Sequence, residues 1–239
     1  MPIIRIFDVE TTGIDPKEHR VVEIAAFDLH PDNRIERIGA HLVNPGRTIP
    51  PEASAVHHLI DADLAGAQHF DAVWASYLPD APVHYAAHNC AFEQGYIPTP
   101  EGTQWICTYK CALRVWADAP AHGNQALRYW IGLDGVNGFD RQLAAHAHRA
   151  EPDAYVTAWV LRTLLGAASL DDLIEWSRQP ILYPKLTFGR HRGEKWSDVP
   201  ADYLQWLRDG QHQMEAAWRH GAEVELERRK ATHPMQRSA

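Results

Sequence analysis

Apolar residues in the first 43 positions fall into three runs separated by turn-forming segments. The runs at about 3–9, 20–29 and 35–43 are rich in Ile, Val, Phe and Leu and predict β-strands, and the connections GIDPKEH and HPDN indicate an antiparallel meander. Residues two apart on a strand share a face, so Asp8 and Glu10 point the same way. Phe7 and Val9 point into a core. The first strand therefore carries two carboxylates within an apolar run.

The pattern changes after the third strand from a meander to alternating helices and strands. A Pro-rich link, NPGRTIPPEASAVHHLID, leads to a short helix, and FDAVWASYL has the apolar spacing of a second helix. VHYAAHN is a buried strand without polar alternation; a helix, the short strand QWICT and further helices to about residue 167 follow. This order predicts an α/β fold with a mixed sheet over residues 1–168.

The last third of the chain has a different pattern. SRQPILYPKL carries two prolines and little periodicity, so we predict a linker over 169–184 and a small α+β domain over 185–239. In that domain, LTFGRHRGEKWSDVPADYLQWLRDG predicts one strand, a Gly-rich turn and an aromatic helix. The final THPMQRSA is expected to fray.

Composition and charge narrow the class of protein. The 239 residues are 45% hydrophobic, enough for a core, and no apolar run has the roughly 18 residues of a membrane span or the form of a signal peptide. Three cysteines fit no zinc spacing, which favours packing roles and a cytoplasmic location. The net charge of −8 lies entirely in residues 1–168, with 12 basic and 20 acidic side chains. Bound divalent cations could invert that local field.

The carboxylates on the first strand need a positive partner. Two like charges about 4 Å apart repel by roughly 4 kcal/mol at the effective dielectric of a protein surface. Asp8 and Glu10 end a strand and are followed by the turn-forming TTG. A further carboxylate, Glu93, follows the buried strand that leads into AHNCAFEQGYI, although a surface Glu in the first turn of a helix is also an ordinary feature.

The segment HAHRAEPDAYVTAWVL supplies the last members of the predicted site. Pro152 suits the first position of a helix, which puts Asp153 in the first turn, where the helix dipole favours an ionised carboxylate. His148 then lies just before the helix, on a segment free to move. His146 is an alternative candidate for the general base if the spacing to Asp153 is interpreted differently.

Four carboxylates and one imidazole are a set suited to phosphodiester hydrolysis. Hard oxygen ligands suit Mg²⁺ or Mn²⁺, and two such ions about 4 Å apart stabilise both the attacking and the leaving oxygen. We therefore predict Asp8, Glu10, Glu93 and Asp153 as metal ligands. His148, whose unperturbed pKa is near 6.5, can take the proton from the attacking water.

The motifs FDVETTG, HNCAFE and HRAEPDA together resemble those of the DEDDh 3′–5′ exonucleases over residues 3 to about 167. The resemblance implies a ribonuclease-H-like fold, the same ligands and base, and an unusual Glu93 where the family has Asp. WICTYKCALRVW and LTFGRHRGEKWSDVPADYLQWL further resemble the bacterial exonuclease X branch, which acts on DNA. That branch implies a pocket for the terminal nucleotide; its members here would be Thr11, Thr12, Gly13, Ile14 and His57.

The predicted function is a two-metal 3′–5′ exonuclease that acts on single-stranded or frayed duplex DNA 3′ ends and releases nucleoside 5′-monophosphates, in repair or end processing. The motifs alone do not separate DNA from RNA, because that choice depends on contacts to the 2′-hydroxyl. An RNA-trimming enzyme therefore stays open, as does a 3′-end-binding module impaired by Glu93. The five basic residues between Arg178 and Lys195 suit a nucleic-acid groove, with Phe188 and Trp196 either stacking on bases or forming the core of the small domain.

Overall fold

The computed structural model describes residues 1–78, 84–210 and 215–232. A five-stranded sheet has the order β3-β2-β1-β4-β5, in which β1 pairs antiparallel with β2 and parallel with β4. The strands are β1 (Ile4–Thr11), β2 (Val21–Leu29), β3 (Ile35–Leu42), β4 (His84–Ala87) and β5 (Trp105–Cys107). The predicted meander and the mixed α/β sheet are confirmed. The predicted start of the fourth strand at residue 83 lies outside the described residues.

Helices cover both faces of the sheet. In the described part of the chain they are α1 (Pro51–His57), α2 (Phe70–Trp74), α3 (Cys90–Tyr96), α4 (Thr108–Val115), α5 (Asn124–Trp130), α6 (Ala150–Leu165), α7 (Leu170–Arg178), α8 (Ala201–Asp209) and α9 (Ala216–Thr232). The helical spacing predicted over 70–78 gives α2 and one further turn of 3-10 helix at Ala75–Tyr77. Within these described ranges, no helix is long and apolar enough to cross a membrane.

Strand β1 is held between two apolar layers. Phe7 and Val9 pack on one face with Tyr85, as predicted, while Ile4 and Ile6 pack on the other with α6. Fully burying a large apolar side chain is worth roughly 1.5–3 kcal/mol. A register slip of one residue would exchange the two faces, so the core fixes the direction in which the carboxylates of β1 point.

More than half of the predicted linker is a helix that packs on the core of the sheet. Helix α7 falls inside 169–184, begins at an N-cap where the Ser169 hydroxyl accepts a hydrogen bond from the Asp172 N–H, and buries Leu173 and Ile174 in the main core. The prediction missed it because the two prolines lie after this helix, at residues 180 and 184. Residues 179–184 have no helix or strand.

The C-terminal region has a small core of its own, formed by Leu186, Trp196, Val199, Leu204, Leu207, Ala222 and Leu226. The aromatic helix is present as α8, but the predicted strand is wrong: one antiparallel bridge joins Lys185 to Lys195. With no third segment beside it, this pair does not extend into a sheet. The division of the chain at 185 stays a prediction. The segment expected to fray lies outside the described residues from 233 onward.

Candidate active site

Two carboxylates lie together at the carboxyl end of β1, near the middle of the sheet. Asp8 and Glu10 share a face, as predicted, and Glu10 pairs across the strands with Glu23 of β2. The register shifts between Glu10 and Thr11. An irregularity of this kind bends a strand and re-aims its side chains, and it ends regular pairing where the carboxylates are displayed.

The third carboxylate, Asp153, is brought to β1 by α6. Its helix begins at Ala150, so Pro152 occupies the third helical position rather than the predicted first, and Asp153 still falls at the helix start. Glu23 fastens that start: its carboxylate accepts bonds from Arg149 Nε at 2.9 Å and Nη2 at 2.7 Å, and from the Ala150 N–H at 3.0 Å. An ion pair and a satisfied helix N–H therefore fix Asp153 above β1.

Asp8, Glu10 and Asp153 form a tight acidic cluster. One carboxylate oxygen from each lies within 4.8 Å of the others. Burial, then repulsion from Asp153, Glu93 and Glu10, raises the pKa of Asp8 well above its ordinary value. Burial and the charges of Asp153 and Glu23 raise the pKa of Glu10 to about 8. At neutral pH the protein alone therefore holds protons in this cluster.

Helix contacts hold Asp153 in a single orientation. Its Oδ1 accepts a hydrogen bond from Gln125 Nε2 at 3.0 Å, and Asn124 Nδ2 donates to its backbone carbonyl at 2.9 Å. Burial raises the pKa of Asp153, and the hydrogen bonds that its carboxylate accepts from Gln125, the His148 N–H and Asn124 oppose that rise. No sequence pattern indicates Asn124 and Gln125, which lie at the start of α5.

The cluster fits hard divalent cations. Three oxygens at this separation can share one or two ions of the Mg²⁺ class, and a bound cation would offset the burial and repulsion that raise the pKa values of Asp8 and Glu10. The sequence predicted all three residues by their placement on a strand end and a helix start.

Glu93 lies beside this cluster rather than in it. It is 5% exposed, in the first turn of α3, and its Oε2 has no hydrogen-bond partner among the described residues. Burial raises its pKa to about 8, and its charge also raises the pKa of Asp8. A buried carboxylate oxygen without a partner is costly unless a cation or proton meets it, which fits a ligand of the same site. The ordinary surface role for Glu93 is therefore wrong.

His148 occupies a strained position next to Asp153. Its φ of 60° is left-handed, which is uncommon for a residue other than glycine, and its backbone N–H donates to Asp153 Oδ2 at 2.7 Å. The imidazole is exposed. The competing His146 lines a surface cavity of about 250 Å³ together with Arg149 and Glu151. The assignment of the general base to His148 stays a prediction.

The loop after β1 is organised by hydroxyl groups and a close approach. Thr11 Oγ1 donates to the Gly13 carbonyl at 2.6 Å, and Tyr96 Oη donates to the same oxygen at 2.6 Å. Thr12 is fully buried, and its Oγ1 accepts from the Arg20 N–H at 3.1 Å. A Cβ at Gly13 would come within 2.4 Å of the His19 ring, so a larger residue there would require that ring to move. The sequence did not indicate Tyr96.

Two further predicted pocket residues have opposite environments. Ile14 is 83% exposed at the tip of this loop, unusual for an isoleucine, and is free to meet a ligand. His57 is 1% exposed at the end of α1; its Nδ1 accepts from the Leu59 N–H at 3.1 Å, and burial lowers its pKa. A direct role for either residue in binding stays a prediction.

Comparisons with known proteins identify the family to which this chain is similar. A family model described as exonuclease matches residues 6–161. Exodeoxyribonuclease 10 of Escherichia coli is 33% identical over 210 residues, which cover 86% of this chain and 90% of that protein. DNA polymerase III subunit epsilon of Treponema pallidum is 26% identical over 175 residues, covering 67% of this chain and 75% of that protein.

Solved structures give the same fold. Exonuclease X in complex with 5′ overhanging duplex DNA has a TM-score of 0.60 and 30% identity, covering 73% of this chain and 99% of that chain. Escherichia coli exonuclease I, bound to an oligonucleotide, has a TM-score of 0.55 at 15% identity and covers 74% of this chain and 43% of that chain, which shows the fold alone.

The chain therefore belongs to the exonuclease family, whose members are hydrolases that act on nucleic acid. Within it, the chain is a DEDDh-type exonuclease close to exonuclease X, with a ribonuclease-H-like fold. Both the predicted family and the predicted fold are confirmed.

Proposed function

We propose that this protein is a divalent-metal-dependent 3′–5′ exodeoxyribonuclease that hydrolyses phosphodiester bonds at DNA 3′ ends and releases nucleoside 5′-monophosphates. The observation that carries the proposal is the cluster of Asp8, Glu10 and Asp153, with oxygens within 4.8 Å of one another. DNA is favoured because the relative at 33% identity is named an exodeoxyribonuclease, and because exonuclease X was solved with duplex DNA whose 5′ overhang leaves a recessed 3′ end.

Each residue of the site has a proposed role. Asp8, Glu10, Glu93 and Asp153 would hold Mg²⁺ or Mn²⁺, two per site, which supply positive charge for the attacking and leaving oxygens. The exposed imidazole of His148 takes a proton from the attacking water.

The terminal nucleotide is bound by the loop after β1. Thr11, Thr12 and Gly13 shape that loop, Ile14 contacts the base, and His57 supports the same pocket from α1. The 83% exposure of Ile14 and the glycine at position 13, where a Cβ would strike His19, support this assignment.

We further propose that the enzyme works in the cytoplasm, in DNA repair or end processing. Support for the compartment comes from Cys90, Cys107 and Cys111, which are buried and free; such thiols suit a reducing environment.

The test is degradation of matched 5′-labelled DNA and RNA oligonucleotides with Mg²⁺, Mn²⁺ or a chelator. We expect the DNA to shorten progressively from its 3′ end, with nucleoside 5′-monophosphates as products, only when a cation is present. Asp8→Asn should be inactive, whereas Glu101→Gln, at an exposed turn, should behave as the wild type. Faster cutting of RNA would make the protein an RNA-trimming enzyme, and tight binding of 3′ ends without cutting would make it a binding module.

A further inference from the structure

The loop from Lys185 to Lys195 has an unbalanced positive charge. Its four cations, Lys185, Arg190, Arg192 and Lys195, are all exposed, and Glu194 is its one carboxylate. Glu194 pairs with His191 Nδ1 at 3.0 Å. Among the ion pairs of the described residues, none involves any of the four cations. The four positive charges are therefore exposed to solvent and have no ion-pair partner among the described residues.

Two of these cations face each other. The bridge between Lys185 and Lys195 is antiparallel, flanked by a hydrogen bond from the Leu186 N–H to the Glu194 carbonyl at 2.9 Å. The Cβ atoms of directly opposite residues lie about 4.5–5.5 Å apart, and like charges on such a pair of residues are destabilising. An anion bound between the two lysines would remove the repulsion.

An exposed aromatic group adjoins the tip of the loop. The ring of Tyr203 on α8 contacts His191 with centroids 4.7 Å apart, and the Arg190 guanidinium lies 5.0 Å from its centre. The Tyr203 ring also contacts Trp206, which is 53% exposed, with centroids 5.2 Å apart. Trp206 is connected to the loop tip through Tyr203, and its exposed ring offers a flat apolar face to a ligand.

We propose that these residues, which we term the C-terminal basic surface (Lys185, Arg190, His191, Lys195, Tyr203 and Trp206), form a second binding site for single-stranded DNA, made of residues that do not belong to the active site. Lysines and arginines neutralise the phosphates, and Trp206 stacks on a base. A single strand is favoured over a duplex because stacking on a tryptophan needs an exposed base face. The inference rests on the proposed function only for its choice of DNA.

The aromatic residues of this surface differ from those that the sequence singled out. Trp196 is 8% exposed inside the small core and donates through Nε1 to the Tyr183 carbonyl, and Phe188 stacks on Trp218 with centroids 3.7 Å apart. For those two rings the packing alternative is therefore right. Trp206 takes the stacking role, and it comes from the exposed side of α8.

The experiment measures binding of the full chain to a labelled, unstructured 20-nucleotide DNA strand in chelator, so that no cutting occurs. We expect Trp206→Ala to weaken binding about tenfold and Trp206→Phe to retain it. Lys195→Gln should lower the slope of log affinity against log salt by about 0.7, as expected for one lost phosphate contact on a single strand. Lys230→Gln, an exposed lysine on α9 paired with Glu227, is the matched control.

Two further measurements distinguish binding from structure and from catalysis. Lys195→Gln should leave the melting temperature unchanged or higher, because it removes a like-charge contact. Hydrolysis of a trinucleotide, which fills only the active site, should be unchanged in Trp206→Ala, and its absence in the wild type would count against the proposed function alone. Equal binding of the single strand by wild type, Trp206→Ala and Lys195→Gln would overturn the inference. So would a loss of duplex binding in Trp206→Ala as large as its loss of single-strand binding.

Discussion

Replacing Glu10 with Gln should make the metal-free protein more stable at neutral and alkaline pH while abolishing its activity. The carboxylate of Glu10 shares the acidic cluster with Asp8 and Asp153, whose oxygens lie within 4.8 Å of it. Coulomb's law gives roughly 3.5 kcal/mol of repulsion for two unit charges 4.8 Å apart with an effective dielectric of 20, and near neutral pH the folded protein avoids this repulsion only by keeping a proton on the cluster. The amide of glutamine has nearly the same shape and no charge, so it removes this cost.

The pH dependence follows from the direction of the pKa shift. Burial and neighbouring charges raise the pKa of Glu10 from 4.5 to about 8 in the folded protein. Between those two pH values the folded state holds a proton that the unfolded chain has lost, so the free energy of unfolding falls as pH rises. From pH 5 to pH 7 the loss is about 2.5 kcal/mol, or about 5–10 °C in melting temperature for a chain of this size.

The assay is thermal unfolding in chelator at pH 5, 6, 7 and 8. Wild type should lose stability steadily over this range, and Glu10→Gln should lose less because only the raised pKa values of Asp8 and its neighbours remain. Excess Mn²⁺ at a hundred times its dissociation constant should raise the stability of wild type by about 2.7 kcal/mol and that of the variant by far less. A wild-type melting temperature that is flat from pH 5 to pH 8, or an equal rise of both proteins with Mn²⁺, would refute the reasoning.

Three further predictions concern the neighbours of the cluster. His148→Ala should lower the hydrolysis rate by about 10²- to 10⁴-fold and remove the acidic limb of the pH–rate profile, while Mn²⁺ still raises the melting temperature; full activity from pH 6 to 8 would remove His148 from the mechanism. Glu93→Asp should be slower than wild type by up to about 10²-fold in single-turnover assays, since its shorter arm moves the carboxylate by about an ångström; a faster variant would mean that wild type is a slow nuclease or a binder. Glu23→Gln should lower the free energy of unfolding in urea by about 1–2 kcal/mol, because it weakens the charge-assisted bonds to Arg149. An unchanged urea midpoint would show that another contact holds α6.

The part of the site that lies on regular elements could be predicted from the sequence. Alternation along β1 fixes which residues share a face, and the core residues Phe7 and Val9 leave Asp8 one direction in which to point. Asp153 was placed at a helix start by the proline before it, although Pro152 is two positions further into the helix than expected. The alternation of residues along a strand and the position of a helix start are local properties, so they can be predicted from the sequence.

The supporting contacts could not be predicted, because they join residues far apart in the chain. Glu23 and Arg149 are 126 positions apart, and Gln125 reaches Asp153 from the start of another helix. Polar side chains in such roles obey no period, and one glutamate on a strand is indistinguishable from another. The packing of α6 on β1 and β2 decides which of them meet.

The regions where the prediction was wrong lack strong local signals as well. Helix α7 was assigned to a linker because prolines follow it closely, yet its Ser169 cap and the apolar pair Leu173 and Ile174 are ordinary helix signals over only nine residues. The segment predicted as a C-terminal strand makes a single bridge among the described residues, between Lys185 and Lys195. A strand needs a neighbour to become part of a sheet, and neighbours are set by the tertiary fold.

The cost of the acidic cluster is itself an argument about function. The protein uses Glu23 and Arg149, with the backbone of Ala150, to force Asp153 toward two carboxylates that repel it. His148 adds a left-handed backbone at the same place. Ion pairs, helix packing and a left-handed backbone residue thus hold together a group of carboxylates that repel one another in the protein alone. Folding stability does not explain such an arrangement, whereas a site that must bind cations and position a base does.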